Sequence, residues 1–226
     1  MDTWSLSRGE SSKSESAYTT IKELIMKGRL TRDDTVSVSL LASKLEMSKT
    51  PVRDALQKLE SEGFVRIIPN QGVVVCDLTV GEANYMYELR IALEGYLLRR
   101  VIPLLTDAHI ADLRAILEKQ RNAMLKNAPY EFMAYDNEQH GYLHKVYYNP
   151  IVFDVMNRLV DRIYFGGIHA LHLPGRMDAT LREHTLIVDA MEERNTEKAC
   201  QALEYHFTKG LSSTTTSVEI HLLKKS

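Results

Sequence analysis

Between residues 16 and 76 three short apolar stripes at helical spacing are followed by one pair of β-branched runs, and after residue 78 the strand signals stop. That order admits few folds. In SAYTTIKELIMKG the stripe is Ala17, Ile21, Leu24 and Ile25, ended by Gly28; in SVSLLASKLEM it is Leu40, Leu41 and Leu45. The third stripe, Val52, Ala55, Leu56 and Leu59, runs at i, i+3, i+4 and i+7 up to a stop at Gly63. Pro51 stands where a helix tolerates it, in a first turn whose N–H groups have no intrahelical partner. The third helix is therefore expected to start between Ser48 and Thr50, both candidate caps. Only about three residues separate it from the second helix, the connection length of a helix–turn–helix. FVRIIPNQGVVVC then sets β-branched runs around Pro69, Asn70, Gln71 and Gly72, a hairpin signal. Three helices and a hairpin in this order predict a winged helix–turn–helix, whose third helix enters the major groove of DNA.

Burial of the third stripe leaves Ser48, Lys49, Thr50 and Arg53 at the exposed end of that helix. Hydroxyls and cations around a helix N-terminus suit a phosphate backbone and the edges of bases. The bland alternative makes Ser48 and Thr50 caps and Arg53 half of a surface ion pair. Net charge does not decide between them, because the chain carries −2 overall, with +1 over residues 1–75 and −3 over the rest. Placement of the cations has to carry a DNA-binding reading. Composition excludes other classes. No apolar run reaches the length of a membrane span, and the start, MDTWSLSRGESSKSES, has no signal-peptide apolar stretch. The two cysteines, Cys76 and Cys200, have neither a zinc-pair spacing nor a disulfide-rich density, which fits a reducing cytoplasm.

LASKLEMSKTPVRDALQKLESEGFV followed by PNQGVVV resembles the DNA-binding domain of the GntR family of bacterial transcriptional regulators. Met47 stands in place of the usual Val and Lys49 in place of the usual Arg. Lysine still neutralises phosphate but lacks the bidentate geometry that reads guanine. The resemblance implies that Ser48, Lys49, Thr50 and Arg53 contact DNA, with Gln71 and Gly72 on the wing.

The remaining residues read as helices. Thr79 and Glu82 form a capping box that opens a helix through Tyr85, Leu89, Leu93 and Leu97. Further helices are expected over 107–127, from Pro129 to Asn149, from Ile151 to about Leu171, over 178–194, and from 196 to 211 or beyond behind a cap at Asn195. The fold class is thus mainly α: an N-terminal winged helix–turn–helix followed by an all-α antiparallel helical bundle. The expected boundaries are a disordered polar tail over 1–15, the winged helix over 16–76, a linker over 77–82 and the bundle over 83–226.

Eight histidines lie in this chain. Asp136 and His140 are i and i+4 on one helix and can point to one spot. His184 and His206 are twenty-two residues apart with the turn at Asn195 almost midway, so an antiparallel pair brings them level. Three imidazoles and a carboxylate from three helices suit a divalent transition metal, Zn, Ni, Mn or Fe. His144, one turn beyond His140, is read as a pocket or surface residue, and His169 and His172 as polar residues at a helix end. Arg90 is either a clamp for an effector carboxylate or the partner of Glu94 at i+4.

DNEQHGYLHKVYYNP and REHTLIVDAMEERNTEKACQALEYH are similar to the effector domain of the FadR-type branch of the same family, the FCD domain, through Asp136, His140, Asn149, His184, Ala190 and His206. ELRIALEGYLLRR matches the opening of that domain through Arg90 and Glu94. Gln139 replaces the usual Phe and Asn195 the usual Asp, neither of them a ligand. The resemblance implies Asp136, His140, His184 and His206 as metal ligands, a small organic acid as effector, and a homodimeric repressor on a double-stranded operator with an inverted repeat. The alternative from the same residues is a metal-dependent enzyme that activates water; it leaves the recognition helix unexplained.

Overall fold

Pro51 lies in the first turn of α3 (Lys49–Ser61) in the computed structural model of the protein, which describes residues 8–31, 34–69, 71–76 and 78–225. Two units divide the chain, Met1–Asp77 and Leu78–Ser226. In the first, Val52, Ala55, Leu56 and Leu59 of α3 are at most 1% exposed. They face α1 (Arg8–Met26) and α2 (Val38–Lys44). Leu40, expected in the α2 stripe, is instead 46% exposed. Leu41 and Ala42 take the inward face, and a neighbouring position lies about 100° around the helix. The stretch expected as a tail over 1–15 is helical from Arg8 onward; residues 1–7 lie outside the described residues. Glu15 has a reason to be ordered, because its carboxylate accepts from Lys58 of α3 at 3.2 Å.

The hairpin forms as β2 (Val65–Ile68) against β3 (Gly72–Val75), antiparallel, with Val65 opposite Val75 and Ile68 opposite Gly72. Asn70 of the expected turn lies outside the described residues. A two-residue strand, β1 (Thr35–Val36), joins the other edge of β3. Two residues are too few to leave an alternating signal. Gly72 is demanded by this third strand: its φ is +118°, and a Cβ there would stand 2.9 Å from the carbonyl oxygen of Val36.

The second unit is helical throughout: α4 (Val80–Val101), a single 3-10 turn, α5 (Asp107–Leu125), α6 (Pro129–Gly141), the one-turn α7 (Leu143–Val146), α8 (Pro150–Ala170), α9 (Arg176–Glu192) and α10 (Thr196–Lys225). The helix expected from Pro129 to Asn149 stops at Gly141. Pro150 forces the residue before it into extended backbone, and Asn149 adopts φ −121° and caps α8 through the Ile151 and Val152 N–H groups. Thr79 and Glu82 close their capping box, within the stretch expected as a linker, and Asn195 accepts from Lys198 N at the start of α10. α10 packs on α9, α4 and α8, while α5 packs on α6 and α9. Leu97, Leu98, Val101, Leu113, Phe132, Val188 and Phe207 anchor the core between them.

The inward face of α4 differs from expectation. Tyr85 and Leu89 point outward, and the buried face is Ala83, Tyr87, Arg90, Glu94, Leu97 and Leu98. A charged pair replaces apolar residues in the middle of a core because it has partners there.

Candidate metal centre and recognition helix

Asp136 and His140 are one turn apart on α6, His184 lies midway along α9, and His206 sits on the facing stretch of α10. All four are buried, and one donor atom from each lies within 4.8 Å of the others. Asp136 Oδ1 stands 3.3 Å from His184 Nε2, Asp136 Oδ2 3.9 Å from His140 Nε2, and the Nε2 atoms of His184 and His206 are 3.3 Å apart. Ligand atoms bonded to one first-row ion at about 2.1 Å stand roughly 3–4 Å from one another, so these side chains need little movement to share an ion.

Each imidazole is held from behind. His140 Nδ1 donates to Glu94 Oε2 (2.6 Å), His206 Nδ1 to Glu183 Oε2 (2.9 Å) and His184 Nδ1 to Gln120 Oε1 (2.9 Å). Burial alone would raise the Glu94 carboxyl, but Arg90 and His140 outweigh it and hold it down at about 2. Burial opposes ionisation of Glu183 as well, yet the bonds from His206 and Arg176 keep its carboxyl below the usual range. An ionised carboxylate only accepts, so the proton sits on Nδ1 of His140 and His206. In the neutral form that ligates a metal, each Nε2 presents its lone pair inward. His140 Nε2 is buried without any hydrogen-bond partner. Burial, then the neighbouring imidazoles and arginines, push the pKa of His184 well down; burial also lowers that of His206, against the pull of Glu183. Three imidazole nitrogens and one carboxylate converge on one point, an arrangement that a cation placed between them would stabilise. The donor set fits a divalent transition ion.

Two arginine–glutamate pairs complete the frame. Arg90 Nε donates to Glu94 Oε1 at 2.6 Å, with its guanidinium 4.5 Å from the ring centre of Phe207. Arg176 donates to both oxygens of Glu183 at 2.7 and 2.9 Å. Both arginines, with Asp136 and His206, line a cavity of about 40 Å³ that Tyr87, Tyr164, Thr180 and Thr214 also border. The expected Arg90–Glu94 pair is therefore present, and Arg90 borders the cavity as well. His144 is buried against Phe153 outside the donor cluster, and burial lowers its pKa. His169 packs on Phe165, His172 is exposed, and neither lines the cavity. Gln120, Glu183, Arg176 and Thr180 were not singled out from the sequence. The one available signal was Glu183 beside His184, and it misleads, because Glu183 serves His206.

In the other unit Ser48, Lys49, Thr50, Arg53 and Gln71 are all exposed. Ser48 occupies the cap position of α3 without a side-chain capping bond, which leaves its hydroxyl for an outside partner. Among the described residues neither Lys49 nor Arg53 has an ion pair. Gly72 owes its identity to the close approach of Val36.

Family comparison agrees with both halves. The gntR family of bacterial regulatory proteins matches residues 13–75, and the FCD domain matches residues 85–209. YdhC of Bacillus subtilis, an HTH-type transcriptional regulator described as uncharacterized, is 25% identical over 191 residues, 84% of this chain and 85% of that protein. The HTH-type transcriptional repressor RspR of Escherichia coli is 25% identical over 166 residues, 72% of each. Among solved structures, E. coli McbR/YncC has a TM-score of 0.75 at 20% identity, over 90% of this chain and 97% of that one, a likeness of fold. These relatives are regulators, and the reading as a water-activating enzyme falls with them. The chain belongs to the GntR family of bacterial regulatory proteins, in the branch that joins the winged helix to an FCD domain, and is a DNA-binding transcriptional regulator.

Proposed function

We propose that the protein is a cytoplasmic, homodimeric repressor that binds an inverted-repeat operator, holds one divalent transition ion through Asp136, His140, His184 and His206, and changes its grip on DNA when a small carboxylate enters the cavity beside that ion. The observation that carries the metal reading is the convergence of three Nε2 atoms and the Asp136 carboxylate, two of the rings fixed by carboxylates behind them. The ion, when bound, supplies positive charge and open positions to a carboxylate. Arg90 supports the effector reading, since the residue lines the same cavity and its Nη2 is buried without a hydrogen-bond partner. DNA contact is assigned to Ser48, Lys49, Thr50 and Arg53 in the major groove and to Gln71 and Gly72 on the wing. Among the described residues no helix is long and apolar enough to cross a membrane, which is compatible with the cytoplasm. A repressor role draws on RspR, a repressor by name.

Elemental analysis of purified protein is expected to find about one divalent ion per chain, and His184→Ala or His206→Ala to lose most of it, because each leaves an incomplete ligand set. Operator titration with and without organic acids should show a coupling of about 5- to 150-fold in DNA affinity that vanishes in His184→Ala. Full occupancy in a His140/His184 double alanine variant would remove the site. An acid that still alters DNA binding in metal-free protein would make the ion structural only.

A further inference from the structure

The centre has to hold together without its ion as well as with it, and one of the three rings meets different demands in the two states. His206 Nδ1 donates to the Glu183 carboxylate, so in the uncharged ring its Nε2 only accepts. His184 Nε2 stands 3.3 Å from that nitrogen and 3.3 Å from Asp136 Oδ1. With two acceptors around it, His184 Nε2 is the nitrogen that carries a proton when no ion is present. Burial above all keeps both rings uncharged, so His184 Nδ1 is then bare and needs a donor. Ligation demands the reverse, a bare Nε2 and a proton on Nδ1.

The group behind Nδ1 is the side-chain amide of Gln120 on α5, fully buried and 2.9 Å away. An amide can accept through Oε1 or, turned over, donate through Nε2, and its two ends have nearly the same shape. With Oε1 toward the ring, Nε2 has no hydrogen-bond partner, and donors left bare inside a protein are costly. Turned over, Nε2 meets the bare His184 Nδ1. The other two rings have no such freedom, because Glu94 and Glu183 as carboxylates only accept and hold the proton on Nδ1 of His140 and His206 in both states. Resting on the metal reading, we infer that Gln120 is the positioning residue that supports His184 in both states of the centre, donating to Nδ1 when the ion is away and accepting from Nδ1 when it is bound. The ring keeps one proton throughout: Nε2 gives one up and Nδ1 takes one on, with no change in its charge. The ion can leave and return while His184 stays uncharged and hydrogen-bonded.

Nitrogen NMR of the full chain, isotope-labelled at histidine, reports which ring nitrogen carries the proton, with zinc as the probe. In chelator-treated wild type the His184 proton is expected on Nε2, and in zinc-loaded wild type on Nδ1, while His140 and His206 keep theirs on Nδ1 in both. Gln120→Glu, whose carboxylate only accepts, should keep a proton on His184 Nδ1 in both states. Gln120→Leu, which can neither donate nor accept, should bind zinc about 10- to 100-fold more weakly in competition with a chelator. A His184 proton on Nδ1 in metal-free wild type, or equal zinc affinity in wild type and Gln120→Leu, overturns the inference while the metal reading stands. If wild type binds no zinc, the metal reading falls and takes this inference with it.

Discussion

Glu183 and His184 are neighbours in the chain, yet Glu183 accepts from His206 while His184 turns away to Gln120. Successive positions on a helix point about 100° apart, so a ligand's chain neighbour is poorly placed to hold it. Glu183→Gln keeps an acceptor for His206 but strips Arg176 of its counter-charge. Competition with a chelator should show metal affinity lowered about 10- to 100-fold, and an unchanged affinity would end the supporting role of Glu183. The four candidate ligands were legible because two follow the helical period and two are nearly symmetric about the turn at Asn195. Gln120 was not, since nothing periodic links it to His184, sixty-four residues away. On the DNA side, Arg53→Ala is expected to cost about 1–3 kcal/mol and relax base preference at one position per half-site. Lys49→Ala should weaken all sequences alike and reduce the salt slope by about one, as a phosphate contact does. Both are read by operator titration across a range of salt.

Single helices show where periodicity misleads. In α4 the stripe Tyr85, Leu89, Leu93 and Leu97 has helical spacing, but of these only Leu97 is fully buried, and the core took the face with Arg90 and Glu94, because that pair supports His140 from inside. Hydrophobicity alone ranks the faces the other way. The starts of α4, α8 and α10 were legible from Thr79, Pro150 and Asn195, since caps act locally; the end of α6 was not. Glycines offer a direct test of packing against propensity. A Cβ on Gly166 of α8 would lie 2.4 Å from Leu78 Cδ1 and 3.1 Å from its Cγ, whereas a Cβ on Gly81 of α4 would meet nothing within 4 Å. Gly166→Ala should destabilise by about 1–3 kcal/mol through overpacking, and Gly81→Ala should stabilise by about 0.4–1 kcal/mol. Denaturant unfolding of the two variants measures both signs.

For the whole molecule, the outward face of α4 bears on assembly. Tyr85, Leu89 and Tyr96 are 73%, 41% and 40% exposed along one side of that helix, an apolar strip suited to a second copy of the chain. Sedimentation should give twice the 25.8 kDa of one chain, and Leu89→Arg should shift the protein toward the single-chain mass and weaken operator binding, because a palindrome is read by two half-sites. A dimer that survives Leu89→Arg with unchanged mass would move the interface elsewhere. The two arginine–glutamate pairs have a consequence at this scale. Each is closed within one helix, Arg90 with Glu94 in α4 and Arg176 with Glu183 in α9. The charges of these two pairs are thus balanced within α4 and within α9, and a change at Thr180 or Thr214 leaves that balance alone. On the proposed reading, such a centre can change its effector without disturbing the groups around its ion, so duplicated copies of one gene can come to answer different small acids with the same machinery.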